Sequence, residues 1–303
     1  MPKKLSGYIL ALVGLTLLFT SCKKDYESIQ SIDSKTISDY IAKNNLTSMV
    51  ADPGNSGYYY QILTPGTGDL LKNTDSVLYN GEMRSLTNGT VYSNSSNNGN
   101  GNLSTFVGYT NQLQGLNVNA IRDVMLKMSR GGTARILLPS YLAYGKNGSG
   151  NIPSNENIDL YITTYPEALQ ADRDDALIKK YIAAKGLTMT KDPSGVYYSV
   201  SAFGKGTYDI TSTSTVESSY TGKLLDGTTF DANTDYTSAL DLNVKGWAVI
   251  AGKVQRDGKI SIIIPSGLAY GTSSKASSNT TYPNGIPSNA ILTFDIQILS
   301  VRP

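Results

Sequence analysis

The chain has 303 residues, of which 40% are hydrophobic, and it carries a formal net charge of +2 with no histidine. This length suffices for two ordinary domains, and the small net charge argues against a nucleic-acid partner. Without histidine, Ser-His-Asp and Cys-His nucleophilic catalysis are excluded, as are most zinc sites. The chain has one cysteine and therefore no intrachain disulfide.

The N-terminus resembles a bacterial lipoprotein signal. Two lysines precede the apolar run YILALVGLTLLF, residues 8–19, and small polar residues lead to Cys22. The run is shorter than the about 20 residues of a transmembrane helix, and its flanks are typical of a secretory signal. We therefore expect removal of residues 1–21 and lipidation of Cys22, which would anchor the protein to a membrane. The alternative is an ordinary cleaved signal with an incidental cysteine.

Two lysines directly follow Cys22, with no aspartate there. By analogy with lipoprotein sorting, this favours the outer membrane of the cell envelope, facing either the periplasm or the exterior. Residues 22–33 are polar and are predicted to form a tether. A helical face then begins, with Ile37, Tyr40 and Ile41 at i, i+3 and i+4 spacing.

The remainder of the chain is a tandem repeat. Three pairs of matching segments are DYIAKNNLTSMVADP (39–53) with KYIAAKGLTMTKDP (180–193), VLYNGEM (77–83) with SSYTGKL (218–224), and RILLPSYLAYG (135–145) with SIIIPSGLAYG (261–271). Two copies of this length indicate tandem domains rather than a solenoid, so we predict one domain at 34–166 and another at 167–303. The first copy is longer, mainly because of the polar segment 93–105, which is predicted to be an exposed loop.

Each copy has the same predicted elements. A leading helix comes first; in the second copy it carries Leu177, Ile178, Tyr181 and Ile182, and Gly186 is its predicted C-cap. Segments such as DSVLYNGEM, TARILLP, ISIII and ILTFDIQIL are predicted to be short strands, and VKGWAVIAGKV a short helical stretch. Many strands around one short helix predict an α+β domain, with an antiparallel sheet wrapped on the helix.

Four motifs in the second copy occur in the order YTGKLLDGTTFD (220–231), VKGW (244–247), IIPSGLAYG (263–271) and IPSNAILTFDIQIL (286–299). Together they resemble the FKBP-type peptidyl-prolyl isomerases. The resemblance covers roughly residues 195–300, and more loosely residues 57–165 of the first copy. It implies two tandem FKBP-like domains, each a curved antiparallel sheet around a short helix with an apolar pocket between them, and each preceded by a helix.

The resemblance also implies the pocket residues of the second domain, which are Tyr220, Phe230, Asp231, Val244, Trp247, Tyr270, Ile286 and Phe294. Trp247 would form the pocket floor, and Tyr270 would hydrogen-bond a substrate carbonyl group. Asp231 would lie at the pocket edge near the twisting amide, and the backbone of Val244 would offer another hydrogen bond. Taken singly, each side chain also fits an ordinary role in the core or in a turn. The ordered set favours the pocket.

One further aromatic residue of the family, expected just before LDLNVKGW, is not evident in the sequence. Tyr236 is a candidate for that position. The loop after Gly271 is long for the family and would overhang the pocket, which leaves the substrate preference open.

The implied activity is cis-trans isomerisation of X–Pro bonds in polypeptides. The barrier of about 18–20 kcal/mol arises from amide resonance, so no nucleophile, metal or cofactor is required. An apolar pocket disfavours the planar, more polar amide, and hydrogen bonds that fit the twisted amide lower the barrier further. A ten-thousandfold acceleration would require about 5–6 kcal/mol.

The first copy aligns with a reduced version of this pocket. Its members are Tyr79, Tyr92, Ile121, Tyr144, Ile152 and Leu160, opposite Tyr220, Phe230, Trp247, Tyr270, Ile286 and Phe294. Ser93 replaces Asp231, so the pocket carboxylate is missing. We therefore predict a degenerate FKBP-like domain that has lost most isomerase activity and instead binds a partner, acts as a spacer or holds unfolded chains.

The sequence thus favours a membrane-anchored prolyl isomerase that acts on exported proteins through its second domain. The alternative is a non-enzymatic binding or chaperone lipoprotein that uses both domains as scaffolds. Its support is the polar loop and the 21 tyrosines, because tyrosine is enriched at contact surfaces. Pure structural tethering is a third possibility. The substrate proteins, the residue preferred before proline and the oligomeric state are left open.

Overall fold

The computed structural model describes residues 27–95, 103–113, 115–206, 208–278 and 284–302. The predicted signal peptide and Cys22 lie outside these residues. The described residues contain two large antiparallel sheets, one formed between residues 50 and 164 and the other between residues 190 and 302. We refer to residues 27–164 as the first repeat and to residues 165–302 as the second repeat; the domain boundaries inferred from the sequence stay a prediction.

The elements of the first repeat follow the predicted order. Its helices are α1 (Ile29–Lys43) and α2 (Asn119–Met125). Its strands are β1 (Val50–Ala51), β2 (Tyr59–Thr64), β3 (Thr67–Leu70), β4 (Ser76–Ser85), β5 (Val91–Asn94), β6 (Leu103–Phe106), β7 (Gln112–Leu113), β8 (Leu116–Asn117), β9 (Ser129–Arg130), β10 (Thr133–Leu138) and β11 (Ile158–Thr164). Short 3₁₀ helices lie at Val107–Tyr109, Ser140–Leu142 and Gly145–Asn147.

The second repeat has fewer and longer strands. Its leading helix is α3 (Gln170–Lys185). Its strands are β12 (Thr190–Lys191), β13 (Tyr197–Ala202), β14 (Thr215–Leu224), β15 (Thr229–Ala239), β16 (Lys259–Ile264) and β17 (Leu292–Arg302). Its 3₁₀ helices lie at Leu240–Leu242, Lys245–Ile250 and Ser266–Leu268. The helical stretch predicted around VKGW is therefore confirmed as a 3₁₀ helix, whereas β14, β15 and β17, at 10, 11 and 11 residues, are longer than expected.

The two large sheets share one topology and differ at one edge. The strand orders are β1-β2-β10-β11-β4-β5 and β12-β13-β16-β17-β14-β15. In the second repeat the single strand β15 runs along β14, whereas in the first repeat the two short strands β5 and β6 share β4. The segment 93–105 was predicted to be a loop, but its two ends belong to β5 and β6 because both pair with β4. The extra residues thus interrupt an edge strand.

Both leading helices pack as their apolar periodicity predicts. Ile37 of α1 is buried with Leu86 and Leu137. Ile178 of α3 is buried in a cluster that includes Ile263. These contacts bury the apolar stripe of each helix on the sheet of its own repeat.

The ends of the leading helices are also set by local chemistry. Gly186 adopts the left-handed conformation after α3 (φ 61°), which confirms the predicted C-cap. Helix α1 begins at Ile29, inside the segment predicted to be a tether. The reason is that the side chain of Ser28 accepts a hydrogen bond from the backbone N–H of Ser31 and caps the helix there.

A buried carboxylate fastens each leading helix to the repeated PS motif. The hydroxyl of Ser140 donates to Asp33 Oδ2 at 2.7 Å, and the hydroxyl of Ser266 donates to Asp174 Oδ2 at 2.6 Å. All four side chains are almost fully buried. Burial raises the pKa of Asp174, although the hydrogen bonds from Ser266 and Gln170 oppose this effect. The repetition of PS in the sequence therefore has a structural reason.

The repeated IPSN motifs also have a structural role. Asn155 and Asn289 both have positive φ, at 55° and 54°. Their backbone N–H groups donate to the carbonyl oxygens of Gly145 and Gly271, at 2.8 and 2.7 Å. Asparagine tolerates this left-handed conformation better than most residues, so the motif closes the loop after LAYG in both repeats.

Candidate active site

A cavity of about 590 Å³ lies between the sheet of the second repeat and its 3₁₀ helix Lys245–Ile250. Seven of the eight predicted pocket residues line it, namely Tyr220, Phe230, Asp231, Val244, Trp247, Tyr270 and Phe294. They come from β14, β15, β17, the start of the 3₁₀ helix and the turn after β16. The sheet and the helix thus bring together residues that are far apart in the sequence.

The aromatic rings of the cavity pack edge to face. The centroid of Trp247 lies 5.3 Å from that of Tyr220 and 5.4 Å from that of Phe294, with interplanar angles of 89° and 84°. Phe230 lies 5.6 Å from Phe294 at 90°. Such T-shaped pairs are favourable because the positive edge of one ring meets the negative face of another. The rings therefore form a rigid apolar wall, with Trp247 only 2% exposed at its base.

The cavity carries a carboxylate held by a tyrosine. The hydroxyl of Tyr220 donates to Asp231 Oδ2 at 2.7 Å. The backbone of Asp231 pairs with Gly222, two residues beyond Tyr220 on β14, and the register of β14 on β15 shifts on both sides of this pairing. Gly222 has no side chain, which leaves room for the rings of Phe230 and Phe294: a Cβ there would lie 2.7 and 2.9 Å from them.

Tyr236 also lines the cavity, together with Asn243. The ring of Tyr236 lies 5.5 Å from Tyr220 and 6.3 Å from Trp247, both edge to face. Its hydroxyl donates to Asn243 Oδ1 at 3.0 Å, and Asn243 Nδ2 donates to the carbonyl oxygen of Ala239 at 2.9 Å. Asn243 was not predicted from the sequence, and Tyr236 was only a candidate.

Three of the predicted residues are Ile286, Val244 and Tyr270, of which the last two line the cavity. Ile286 is not among the residues that line the cavity: it is buried in the core that surrounds it, and its backbone forms an isolated β-bridge with Lys275. The carbonyl oxygen of Val244 accepts the N–H of Trp247 at 2.9 Å and begins the 3₁₀ helix. Tyr270 is half-buried, and the Nζ of Lys275 lies 4.8 Å from its ring centroid.

The register of the first repeat differs from the sequence alignment. Phe294 pairs with Ile262 on one side and with Gly222 on the other. The corresponding residue, Leu160, pairs with Ile136 and with Met83. Met83 therefore occupies the position of Gly222.

The same register assigns the residue two positions earlier on each strand. Gly81 pairs with Ile162 as Tyr220 pairs with Ile296, so Gly81 takes the position of Tyr220. Tyr79 pairs with Thr164 and lies two residues before Gly81 on β4. The similar tripeptides YNG and YTG suggest another alignment, but strand pairing rather than local similarity determines the register.

The predicted pocket residues of the first repeat lie in its core. Tyr79, Ile121, Ile152 and Leu160 are buried, and Tyr92 and Tyr144 pack against them. The hydroxyl of Tyr144 points at the sulfur of Met83, at 3.5 Å. Burial raises the pKa of Tyr79 to about 12. Ser93 pairs with Met83 in the position that Asp231 holds against Gly222.

Within the described residues, no group of three or more aspartate, glutamate, cysteine or histidine side chains is placed to hold a metal ion. No helix in this part of the chain is long and apolar enough to cross a membrane.

Comparison with known proteins identifies a family whose model matches both repeats. The family model for FKBP-type peptidyl-prolyl cis-trans isomerases matches residues 68–163 and 206–299. A probable FKBP-type peptidyl-prolyl cis-trans isomerase of Haemophilus influenzae is 36% identical over 124 residues, which are 40% of this chain and 48% of that protein. The isomerase FkpA of Escherichia coli K12 is 34% identical over 131 residues, covering 41% of this chain and 44% of the relative. The chain spans about half the length of the curated relatives it matches.

Among solved structures, the crystal structure of FkpA from Escherichia coli has 31% sequence identity with this chain. The match covers 44% of this chain and 61% of that one, with a TM-score of 0.37.

Proposed function

The chain belongs to the FKBP-type peptidyl-prolyl cis-trans isomerase family, and from this premise we propose that its second repeat isomerises X–Pro bonds in polypeptides. The observation that carries the proposal is the cavity floored by Trp247, with aromatic walls and a single carboxylate held at one side. The proposed substrates are proline-containing segments of exported proteins.

The proposed mechanism is non-covalent. A proline ring that enters the cavity contacts the edges and faces of buried aromatic rings and loses its water. The planar amide is the more polar form, so the apolar wall destabilises it relative to the twisted transition state. No bond is made or broken, so the reaction requires neither a nucleophile nor a general base.

Polar groups would add stabilisation that is specific to the twisted amide. Asp231, oriented by Tyr220, places negative charge beside the region where the amide rotates. The hydroxyl of Tyr270 and the backbone N–H of Val244 are the proposed donors to substrate carbonyl groups. Interactions of this kind accelerate the reaction only to the extent that they are stronger in the transition state.

We infer that the first repeat has no comparable catalytic pocket. Met83 fills the position that is open at Gly222, and Leu160 replaces an aromatic wall. Gly81 stands where Tyr220 holds the carboxylate, and a Cβ at Gly81 would lie 2.7 Å from the side chain of Leu113. Core packing around Met83 in place of an open aromatic cavity supports a role as a binding or spacing domain.

The activity is tested in the chain without residues 1–21, by a protease-free prolyl isomerisation assay. We expect catalysis by the unsubstituted chain and a loss of at least fivefold in kcat/KM for Asp231→Ala. The matched control is Ser93→Ala, at the corresponding position of the first repeat, which should keep the full rate. Absence of catalysis in the unsubstituted chain would favour the non-enzymatic binding function, and equal rates in both variants would refute the assigned site.

We further propose that Cys22 is lipidated and anchors the protein to a membrane of the cell envelope, with the outer membrane favoured. The support is the signal-like N-terminus, whose short apolar run ends three residues before the only cysteine. Metabolic labelling with a fatty-acid analogue should mark the full chain but not the Cys22→Ser variant. Labelling that persists in this variant, or no labelling of either protein, would contradict the proposal.

A further inference from the structure

The second repeat has another cavity, of about 620 Å³, between the first half of α3 and the segment around Pro265–Leu268. We call it the helix groove. None of its lining residues lines the candidate active site. Asp174, Gly195 and Gly267 are among them.

The frame of this groove is built in the same way in both repeats. Asp33 and Asp174 each accept a hydrogen bond from the serine of the PS motif. Gly57 and Gly195 both have strongly positive φ, at 103° and 96°. A Cβ on either glycine would lie next to the proline of the PS motif in the same repeat, at 3.7 and 3.9 Å. The two repeats therefore share the buried anchor and the contact between glycine and proline, although the turn at 52–57 is two residues longer than the turn at 192–195.

The grooves differ in what fills them. In the first repeat the ring of Tyr141 enters the groove, and its hydroxyl donates to the carbonyl oxygen of Ser56 at 2.9 Å. A Cβ on Gly57 would overlap this hydroxyl, so the glycine permits the approach. Burial and the nearby charge of Asp33 raise the pKa of Tyr141. The first repeat thus carries its own tyrosine in the groove.

In the second repeat the corresponding residue is Gly267. A Cβ built there has no heavy atom within 4 Å, and the residue itself is exposed. Ser194 and Gly195 correspond to Ser56 and Gly57, the residues next to the Tyr141 hydroxyl in the first repeat. Both line the open groove. The second repeat therefore has an open space of the kind that Tyr141 fills in the first repeat, but Gly267 has no side chain to fill it.

We propose that the helix groove of the second repeat binds a tyrosine side chain of a partner polypeptide. The ring lies where Tyr141 lies in the first repeat, and the phenol hydroxyl donates to the carbonyl oxygen of Ser194. The site is separate from the isomerase cavity, so the inference does not depend on catalysis.

The charge at the groove indicates which tyrosine-containing segments fit best. Asp172 is exposed in the first turn of α3 at the edge of the groove. Asp175 also lines the groove and binds Lys179 and Lys191. An exposed carboxylate at the edge favours a cationic side chain in the partner, although such exposed pairs contribute little. We therefore assign as partner a polypeptide in which lysine or arginine lies close to the tyrosine.

The test is a titration of the ¹⁵N-labelled chain without residues 1–21 by NMR. The probe is the blocked peptide acetyl-Lys-Ala-Tyr-Ala-Lys-amide, with matched peptides that carry phenylalanine or alanine in place of tyrosine. We expect a Kd of about 1 mM for the tyrosine peptide, as is reasonable for one anchored side chain. The amide signals of Gly195 and Gly267 should shift. The phenylalanine peptide should bind about threefold more weakly because it lacks the hydroxyl, and the alanine peptide at least tenfold more weakly.

Two variants at Gly267 test whether the peptide binds in the helix groove. Gly267→Tyr supplies the side chain that the first repeat has, and it should weaken binding of the tyrosine peptide at least tenfold. Gly267→Ala adds only the first carbon of that side chain and should weaken binding less than Gly267→Tyr does. Should Gly267→Tyr not fold, the three peptides on the unsubstituted chain still decide the question.

Three results would overturn the proposal. The first is equal binding of the tyrosine and alanine peptides, and the second is unchanged binding to Gly267→Tyr. The third is self-association of the unsubstituted chain that Gly267→Tyr abolishes, with no peptide binding, since the occupant would then be a second copy. The isomerisation rate of the same samples, measured in parallel, keeps a failure of this proposal distinct from a failure of the catalytic one.

Discussion

Replacing Tyr220 by phenylalanine would remove one hydrogen bond of the proposed active site and leave its packing in place. The lost group is the hydroxyl that donates to Asp231 Oδ2 at 2.7 Å. The ring itself keeps its edge-to-face contacts with Trp247, at 5.3 Å, and with Phe294, at 6.0 Å. The variant therefore tests whether the carboxylate must be held in its position for catalysis.

The size of the effect follows from the surroundings of the pair. A hydrogen bond to an ionised group contributes about 1.5–3 kcal/mol when well shielded. Asp231 is half-buried, so water replaces part of the lost interaction. We expect a loss of about 1 kcal/mol in transition-state stabilisation, which is about fivefold in kcat/KM.

The measurement is kcat/KM for a proline-containing peptide in a protease-free assay, with near-UV circular dichroism as a check on folding. Tyr220→Phe should have no further effect in an Asp231→Ala background if the hydroxyl acts only through the carboxylate. Tyr79→Phe is the control in the first repeat and should keep the full rate. The reasoning is refuted if Tyr220→Phe keeps full activity, or if its effect is undiminished without Asp231.

Three further predictions concern activity, packing and pH. Tyr270→Phe should lower kcat/KM by about three- to tenfold, the value of one neutral hydrogen bond, whereas Tyr144→Phe in the first repeat should leave it unchanged. Gly222→Ala should lower the free energy of unfolding by about 1–3 kcal/mol in urea titrations, because its Cβ would meet two buried rings. Gly267→Ala, which meets no atom within 4 Å, should change it by less than about 0.5 kcal/mol. Burial acts to raise the pKa of Asp175, but hydrogen bonds from two lysines and a tyrosine outweigh it and lower that pKa to about 2. Stability present above about pH 4 should therefore be lost as the pH falls from 4 to 2, and Asp175→Asn should remove this part of the dependence; an unchanged pH profile in this variant would contradict the assignment.

Local signals in the sequence predicted the elements well. The apolar spacing around Ile37 and Ile178 identified the buried faces of the leading helices. The C-cap at Gly186 was predictable because glycine adopts the left-handed conformation without a steric penalty. Period-two alternation likewise identified strands such as β4 and β17. These features depend on neighbours in the chain, so a single sequence contains the necessary information.

Features that depend on pairing between distant segments could not be predicted in the same way. Tyr79 was aligned with Tyr220 because the flanking residues are alike, whereas the register places Gly81 there. Tyr236 was uncertain because its position on the cavity wall follows from irregular pairing of β15 with β14. Ile286 was assigned to the pocket, but its side chain lies in the core cluster that surrounds the cavity.

The sequence by itself determined the duplication, the order of helices and strands, the family resemblance and most of the aromatic residues of the candidate site. Only the tertiary structure decided which of these rings meet, that Met83 fills the first pocket, and that Tyr141 occupies a groove left open at Gly267. The physical reason is that helix and strand preferences act over a few residues. Cavities, in contrast, are enclosed by side chains that strand register brings together from distant parts of the chain.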